Sequence, residues 1–177
     1  MALRKGHCYT LVKRSYTRKS KVKSKSYIKT LPPSKIARFT MGDVSGFEQG
    51  KYSYFVKLIV NEPVQIRDNA LESARQWAHR ALEEKLKGNF YFNVSAYPHQ
   101  ILRENKMLTG AGADRMQTGM SHCFGKPIGI AARISKNGAI FTVACNKEAI
   151  VSVREILNDV KTKLPGNKSV IVEEIKR

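Results

Sequence analysis

Ile128-Gly-Ile-Ala-Ala-Arg-Ile-Ser-Lys-Asn-Gly-Ala-Ile-Phe-Thr-Val-Ala-Cys145 is the stretch on which the fold turns. Two runs rich in β-branched and apolar residues, 128–135 and 139–145, flank Asn137-Gly138, a dipeptide that tolerates the positive φ angles of a type I′ turn. The spacing predicts a β-hairpin. Similar short runs at 52–60, 64–67, 90–96 and 169–174 predict further strands, and Phe90, Phe92 and Val94 alternate with Asn93 and Ser95 as in a half-buried strand. Two segments follow a helical period instead. From Asn69, in an N-x-x-E capping pattern with Glu72, Leu71, Ala74, Ala78, Leu82 and Leu86 recur until Gly88, with Trp77 expected as a core anchor. From Asn146, Ile150, Val153, Ile156, Leu157 and Val160 run to Leu164 before Pro165-Gly166. Strands bounded by turns and two amphipathic helices predict an α+β fold, an antiparallel or mixed sheet packed with two helices.

The charge of the chain is distributed unevenly. No Asp or Glu precedes Asp43, whereas residues 1–42 hold twelve Lys and Arg. Residues 43–95 balance seven basic against seven acidic side chains, and residues 96–142 return to an excess of six over two. A segment with only positive charge repels itself, and a polyanion with releasable counterions relieves that repulsion. The first 42 residues are therefore expected to form an extended basic RNA-binding arm. Arg4, Arg14, Arg18, Lys19, Lys21, Lys23, Lys25 and Arg38 are its candidate contacts, the alternating lysines projecting to one side of an extended backbone. A solvated tail, a localisation signal or a membrane-surface arm is the bland alternative. Residues 43–177 are expected to form a single α+β domain.

Within that domain, residues 103–127 (RENKMLTGAGADRMQTGMSHCFGKP) hold four glycines, keep no sustained period and exceed an ordinary connection. Arg103, Lys106, Arg115, Gln117, His122 and Lys126 offer cationic or hydrogen-bonding groups, and glycines let backbone amides approach phosphates. The segment is expected to be a mobile, nucleic-acid-binding loop.

Enzyme chemistry finds little support in the same residues. Five residues separate Gly119 from Gly125, and Pro127 stands where a phosphate loop needs Ser or Thr. Gly110-Ala-Gly112 lacks the third glycine of a dinucleotide fingerprint, where Arg115 stands. His7-Cys8 and His122-Cys123 lack the spacing that converges two ligands on zinc, and no base and third group accompany Cys123 as a nucleophile. No catalytic residue, cofactor or metal is expected. Three cysteines make no disulfide framework, the opening residues resemble no secretory signal, and no segment is apolar enough for a membrane span, so a cytoplasmic home is expected.

Pro98-His-Gln-Ile-Leu-Arg-Glu-Asn-Lys-Met-Leu108, Ala111-Gly-Ala-Asp-Arg-Met-Gln-Thr-Gly-Met120 and Phe124-Gly-Lys-Pro127 closely resemble the archaeal and eukaryotic branch of the L-sixteen/L-ten-e family of large-subunit ribosomal proteins. Weaker similarity extends through Cys8-Tyr9, Pro33-Ser-Lys-Ile36 and Ala70-Leu-Glu-Ser-Ala-Arg75. The resemblance implies an α+β, non-catalytic protein that binds large-subunit rRNA near the central protuberance and the aminoacyl-tRNA site. It implies contacts with neighbouring ribosomal proteins and with tRNA rather than an isolated homo-oligomer. It also implies roles in tRNA accommodation and late subunit assembly, with loop 109–126 reaching toward the peptidyl-transferase region. Ser121-His122-Cys123 departs from the family's Arg-Gly-Ala, and a chain stopping at Arg177 resembles the archaeal branch more than the eukaryotic one. A stand-alone nucleic-acid binder or nucleic-acid enzyme remains the alternative. The balanced charge of the first helix makes it a poor groove reader.

Overall fold

The computed structural model describes residues 4–10, 12, 22, 24, 28, 30–117 and 119–175, with His122 as backbone only. Among these residues lie eight strands, β1 (Thr40–Gly42), β2 (Tyr54–Val60), β3 (Val64–Arg67), β4 (Tyr91–Val94), β5 (Gln100–Glu104), β6 (Lys126–Ile134), β7 (Ala139–Cys145) and β8 (Lys168–Glu174). The helices are α1 (Val44–Glu48), α2 (Asp68–Leu86), α3 (Ala113–Met116) and α4 (Ile150–Val160). All pairings are antiparallel: five strands run in the order β1-β4-β7-β2-β8 and three in the order β3-β6-β5. The expected α+β class holds, with two sheets in place of one.

The expected hairpin does not form. Both runs are strands, but β6 belongs to the smaller sheet and β7 to the larger. Their common partner is the segment 54–67: Tyr54 faces Cys145 and Leu58 faces Phe141 in one sheet, while Val64 faces Ile134 and Arg67 faces Ala131 in the other. The two segments form a long ribbon that bends between the sheets. At the bend Val60 takes up the Asn137-Gly138 backbone, accepting from Asn137 N at 2.7 Å and donating to Gly138 O at 3.1 Å. Only Asn137 of that dipeptide has a positive φ, 63°, and Gly138 N donates to Ser135 O, the pattern of a type II turn rather than type I′. Hydrogen bonds to β2 and β3 thus replace those a hairpin would have made within itself.

Helix α2 buries Leu71, Ala74, Ala78 and Leu82 in one core with Val153, Ile156, Leu157 and Val160 of α4, whereas Leu86, the last residue its period marked, is half-buried. One core is shared, because Val56, Leu58 and Phe92 of the larger sheet and Ile66 and Ala132 of the smaller all belong to it. The Asn69 capping box is absent. The helix begins at Asp68, whose Oδ1 accepts from Asn69 N at 2.8 Å, and its acids also hold the incoming chain: Asp68 Oδ2 accepts from Lys35 N at 3.2 Å and Glu72 Oε2 from Ala37 N at 3.3 Å, with Ile36 buried between them. The two oxygens of Asp68 thus serve a helix N–H and an arriving backbone N–H at once. Trp77 is half-buried and packs on the core from its margin. Helix α4 is preceded by a 3-10 turn, Lys147–Ala149, and Asn146 contributes its carbonyl rather than its side chain to that turn. Cys145 is fully buried, and desolvation pushes its thiol up to about 11, in keeping with its expected role as a small hydrophobe.

Candidate nucleic-acid interface

Both positive zones of the sequence meet at the smaller sheet. Residues 4–10 and Val12 lie along it as a strap held mainly through backbone. Gln65 N donates to Thr10 O at 3.0 Å, its Nε2 donates to Tyr9 O at 2.7 Å, and Arg133 Nη2 donates to Val12 O at 2.8 Å. The Tyr9 ring is buried against Leu102 and Ala131, and that desolvation raises its phenol above the ordinary value. Arg67 donates from Nη1 to Arg4 O at 3.0 Å, and its guanidinium carbon stands 5.8 Å from the Tyr9 ring centre. Gln65, Arg67 and Arg133 are therefore positioning residues that the sequence did not single out. The only signal available was polar side chains in runs otherwise rich in apolar residues.

The loop leaves this sheet between β5 and β6. Arg103 and Glu104 complete β5 and Lys126 and Pro127 open β6, so the non-strand segment is 105–125, shorter at both ends than expected. Ile101 and Leu102, each 2% exposed, draw the start of the expected loop into the sheet. The segment also contains local structure, α3 and a 3-10 turn over Gly119–His122. A glycine closes its stem: Gly125 has φ +67°, and a Cβ there would overlap the backbone of Glu104 and Asn105. Beside it the Arg103 guanidinium carbon stands 5.2 Å from the Phe124 ring centre. Gly110 and Gly112, with φ +119° and +78°, have open space around them and turn the chain into α3.

The candidate contacts among the described residues fall into three groups. Arg4, Arg103 and Lys126 surround the loop stem, where Arg4 Nε pairs with Glu104 Oε1 at 2.7 Å and Glu104 faces Lys126 across the ladder. Lys106 and Arg115 are exposed further along the loop, and Gln117 is half-buried. Arg38 is exposed elsewhere, between Ala37, which bonds to Glu72, and Phe39, whose carbonyl accepts from Val94 N. Arg14, Arg18, Lys19, Lys21, Lys23 and Lys25, and the side chain of His122, lie outside the described residues. One property of the loop went unread: Met107, Met116, Met120 and Phe124 are each more than 70% exposed. Large apolar residues in a segment without period have no core face to join, and that was the available clue.

Among the described residues no three His, Cys, Asp or Glu side chains come together as a metal site, and no helix is long and apolar enough to cross a membrane. Fold and surface together define a structural scaffold whose basic charge sits on a strap and a projecting loop rather than in a cleft. The sequence profile of the family described as ribosomal protein L16p/L10e matches residues 12–171, and the chain belongs to that family. Its role is structural, not enzymatic. Three similar proteins, each called large ribosomal subunit protein uL16, come from archaea. That of Hyperthermus butylicus is 45% identical over 80% of this chain and 77% of its own. That of Halorubrum lacusprofundi is 44% identical over 88% and 85%. That of Sulfolobus acidocaldarius is 41% identical over 100% and 97%.

Proposed function

We propose that the chain is a structural constituent of the large ribosomal subunit that binds large-subunit rRNA near the aminoacyl-tRNA site and central protuberance. There it supports tRNA accommodation and late subunit assembly. Its partners are rRNA, neighbouring ribosomal proteins and aminoacyl-site tRNA, and it works in two parts, an RNA-binding arm over 1–42 and an α+β domain over 43–177. The observation that carries this reading is the stem of the loop. A stem pinned by Gly125 projects a segment with exposed cations and few core contacts, next to the anchored start of a segment that holds twelve Lys and Arg and no acid. Arg115 supplies a planar cation and Gln117 an amide suited to phosphates, base edges and 2′-hydroxyls.

Replacing residues 110–122 by a short Gly-Ser linker separates this role from folding. The free protein should melt within a degree or so of wild type, since loop closure depends weakly on length. Large subunits carrying it should mature poorly or bind aminoacyl-site tRNA weakly. Wild-type tRNA binding and translation by those subunits would sink the proposal for the loop.

A further inference from the structure

Arg38, the candidate contact that stands apart from strap and loop, precedes an aromatic platform. The Phe39 and Tyr97 rings stack with their centres 5.5 Å apart and their planes 27° apart. Phe39 packs on the core, whereas Tyr97 is 65% exposed, so the pair braces the Tyr97 ring while leaving most of it in water. The backbone beneath is pinned as well. Val94 N donates to Phe39 O at 2.8 Å, and Ser95 N and Ala96 N donate to Ile140 O at 2.9 and 3.2 Å. Beyond this anchor exposure alternates: Ser95, Tyr97 and His99 are exposed, and Ala96, Pro98 and Gln100 are buried. His99 Nδ1 stands 3.0 Å from Tyr97 O, and since a carbonyl only accepts, Nδ1 carries a proton and Nε2 is the acceptor of the neutral ring.

We propose that the free face of the Tyr97 ring stacks an unpaired RNA base, with Arg38 on an adjoining phosphate and His99 Nε2 accepting from a base amino group. The inference rests on the rRNA-binding reading and deepens it, adding a base contact outside the arm and the loop. A ring already braced by Phe39 loses little freedom when a base stacks on it. Charge and shape together select the occupant. Neither contributing stretch, 1–42 or 85–103, holds an acid, and Glu72, which accepts from Ala37 N, is already paired with Arg75. A cationic peptide therefore finds no free carboxylate there, whereas a phosphate finds Arg38. A single exposed ring between Ser95 and His99 is too small for an apolar protein patch, but it matches one planar base.

The test uses the full chain, a short single-stranded RNA of mixed sequence and an abasic ribose-phosphate oligomer of equal length. Tyr97→Ala should weaken RNA binding about fivefold or more and leave binding of the abasic oligomer, which offers phosphates alone, unchanged. Tyr97→Phe keeps the ring and should bind both as wild type does. In assembled large subunits, p-benzoylphenylalanine placed at position 97 should crosslink to rRNA. The inference is overturned if Tyr97→Ala weakens both oligomers equally or neither, if Tyr97→Phe behaves like Tyr97→Ala, or if the crosslink falls on a protein. Failure of the wild-type chain to bind RNA would overturn the rRNA-binding reading with it, whereas RNA binding that survives Tyr97→Ala would overturn the stacking site alone.

Discussion

Glu72 accepts from four donors: Arg75 Nε at 2.7 Å, Arg75 Nη2 at 2.6 Å, Gln76 Nε2 at 2.9 Å and Ala37 N at 3.3 Å. The Arg75 hydrogen bonds dominate and pull its carboxyl from 4.5 down to about 2, against a smaller upward push from burial. A carboxylate held lower in the folded state than in the unfolded one contributes stability above pH 4.5 that is lost as pH falls toward 2. Glu72→Gln should therefore flatten the melting temperature across that window and cost on the order of 2 kcal/mol at neutral pH, where Arg75 keeps its charge without its partner. Thermal melts followed by circular dichroism at stepped pH check both. Trp77→Ala should cost about 2 kcal/mol in a urea melt, less than the roughly 3–5 of a fully enclosed ring, because the side chain sits at the core margin. Gly125→Ala should loosen the loop stem, since its φ and the Glu104 backbone both exclude a Cβ. Faster protease cleavage near Asn105 is the readout. Glu72 was legible as an N-terminal helix residue but not as a clamp on Ala37, since the clamp depends on a chain segment 35 residues away.

Element existence was largely readable and element partnership was not. The periods of α2 and α4 survived because each is set by its own residues. The hairpin failed because Ile128–Cys145 is locally consistent with two pairings, and the choice between them was made by 54–67, whose bend at Asn61-Glu-Pro63 lies opposite Ser135–Gly138. Strand β5 was missed for a similar reason, its last two residues counted into the expected loop: five residues ending in Arg103-Glu104 become a strand only with β6 beside them. The strap was hidden by its composition, because a cationic segment with one buried aromatic reads as uniformly solvated. Its anchoring predicts that Tyr9→Ala lowers stability by about 2 kcal/mol and speeds exchange of the Gln65 amide, whose acceptor is Thr10 O. Amide exchange at the core residues Leu71 and Val143 should change far less.

Across the whole molecule, charge was the most legible property and its internal use the least. The net +18 pointed to a polyanion, but Arg4 is engaged by Glu104 before any partner arrives. Deleting residues 13–30 should therefore flatten the salt dependence of RNA binding, by about 0.7–0.9 in logarithmic slope for each phosphate the arm no longer neutralises, while leaving the melting temperature intact. Deleting 1–30 should do the same and also lower stability, because Tyr9 goes with it. Filter binding over a salt series separates the two, and an unchanged slope in both would remove the arm from the interface. The bent ribbon has a consequence for how the molecule can be divided. One of its strands, 54–67, precedes the loop and the other, 126–145, follows it, and the two run together through both sheets. A cut anywhere in 105–125 leaves each half with an unsatisfied edge that only the other completes, so the protein should work as a complementing pair. Coexpressed halves divided within the loop should copurify and elute together on size exclusion, whereas either half alone should aggregate.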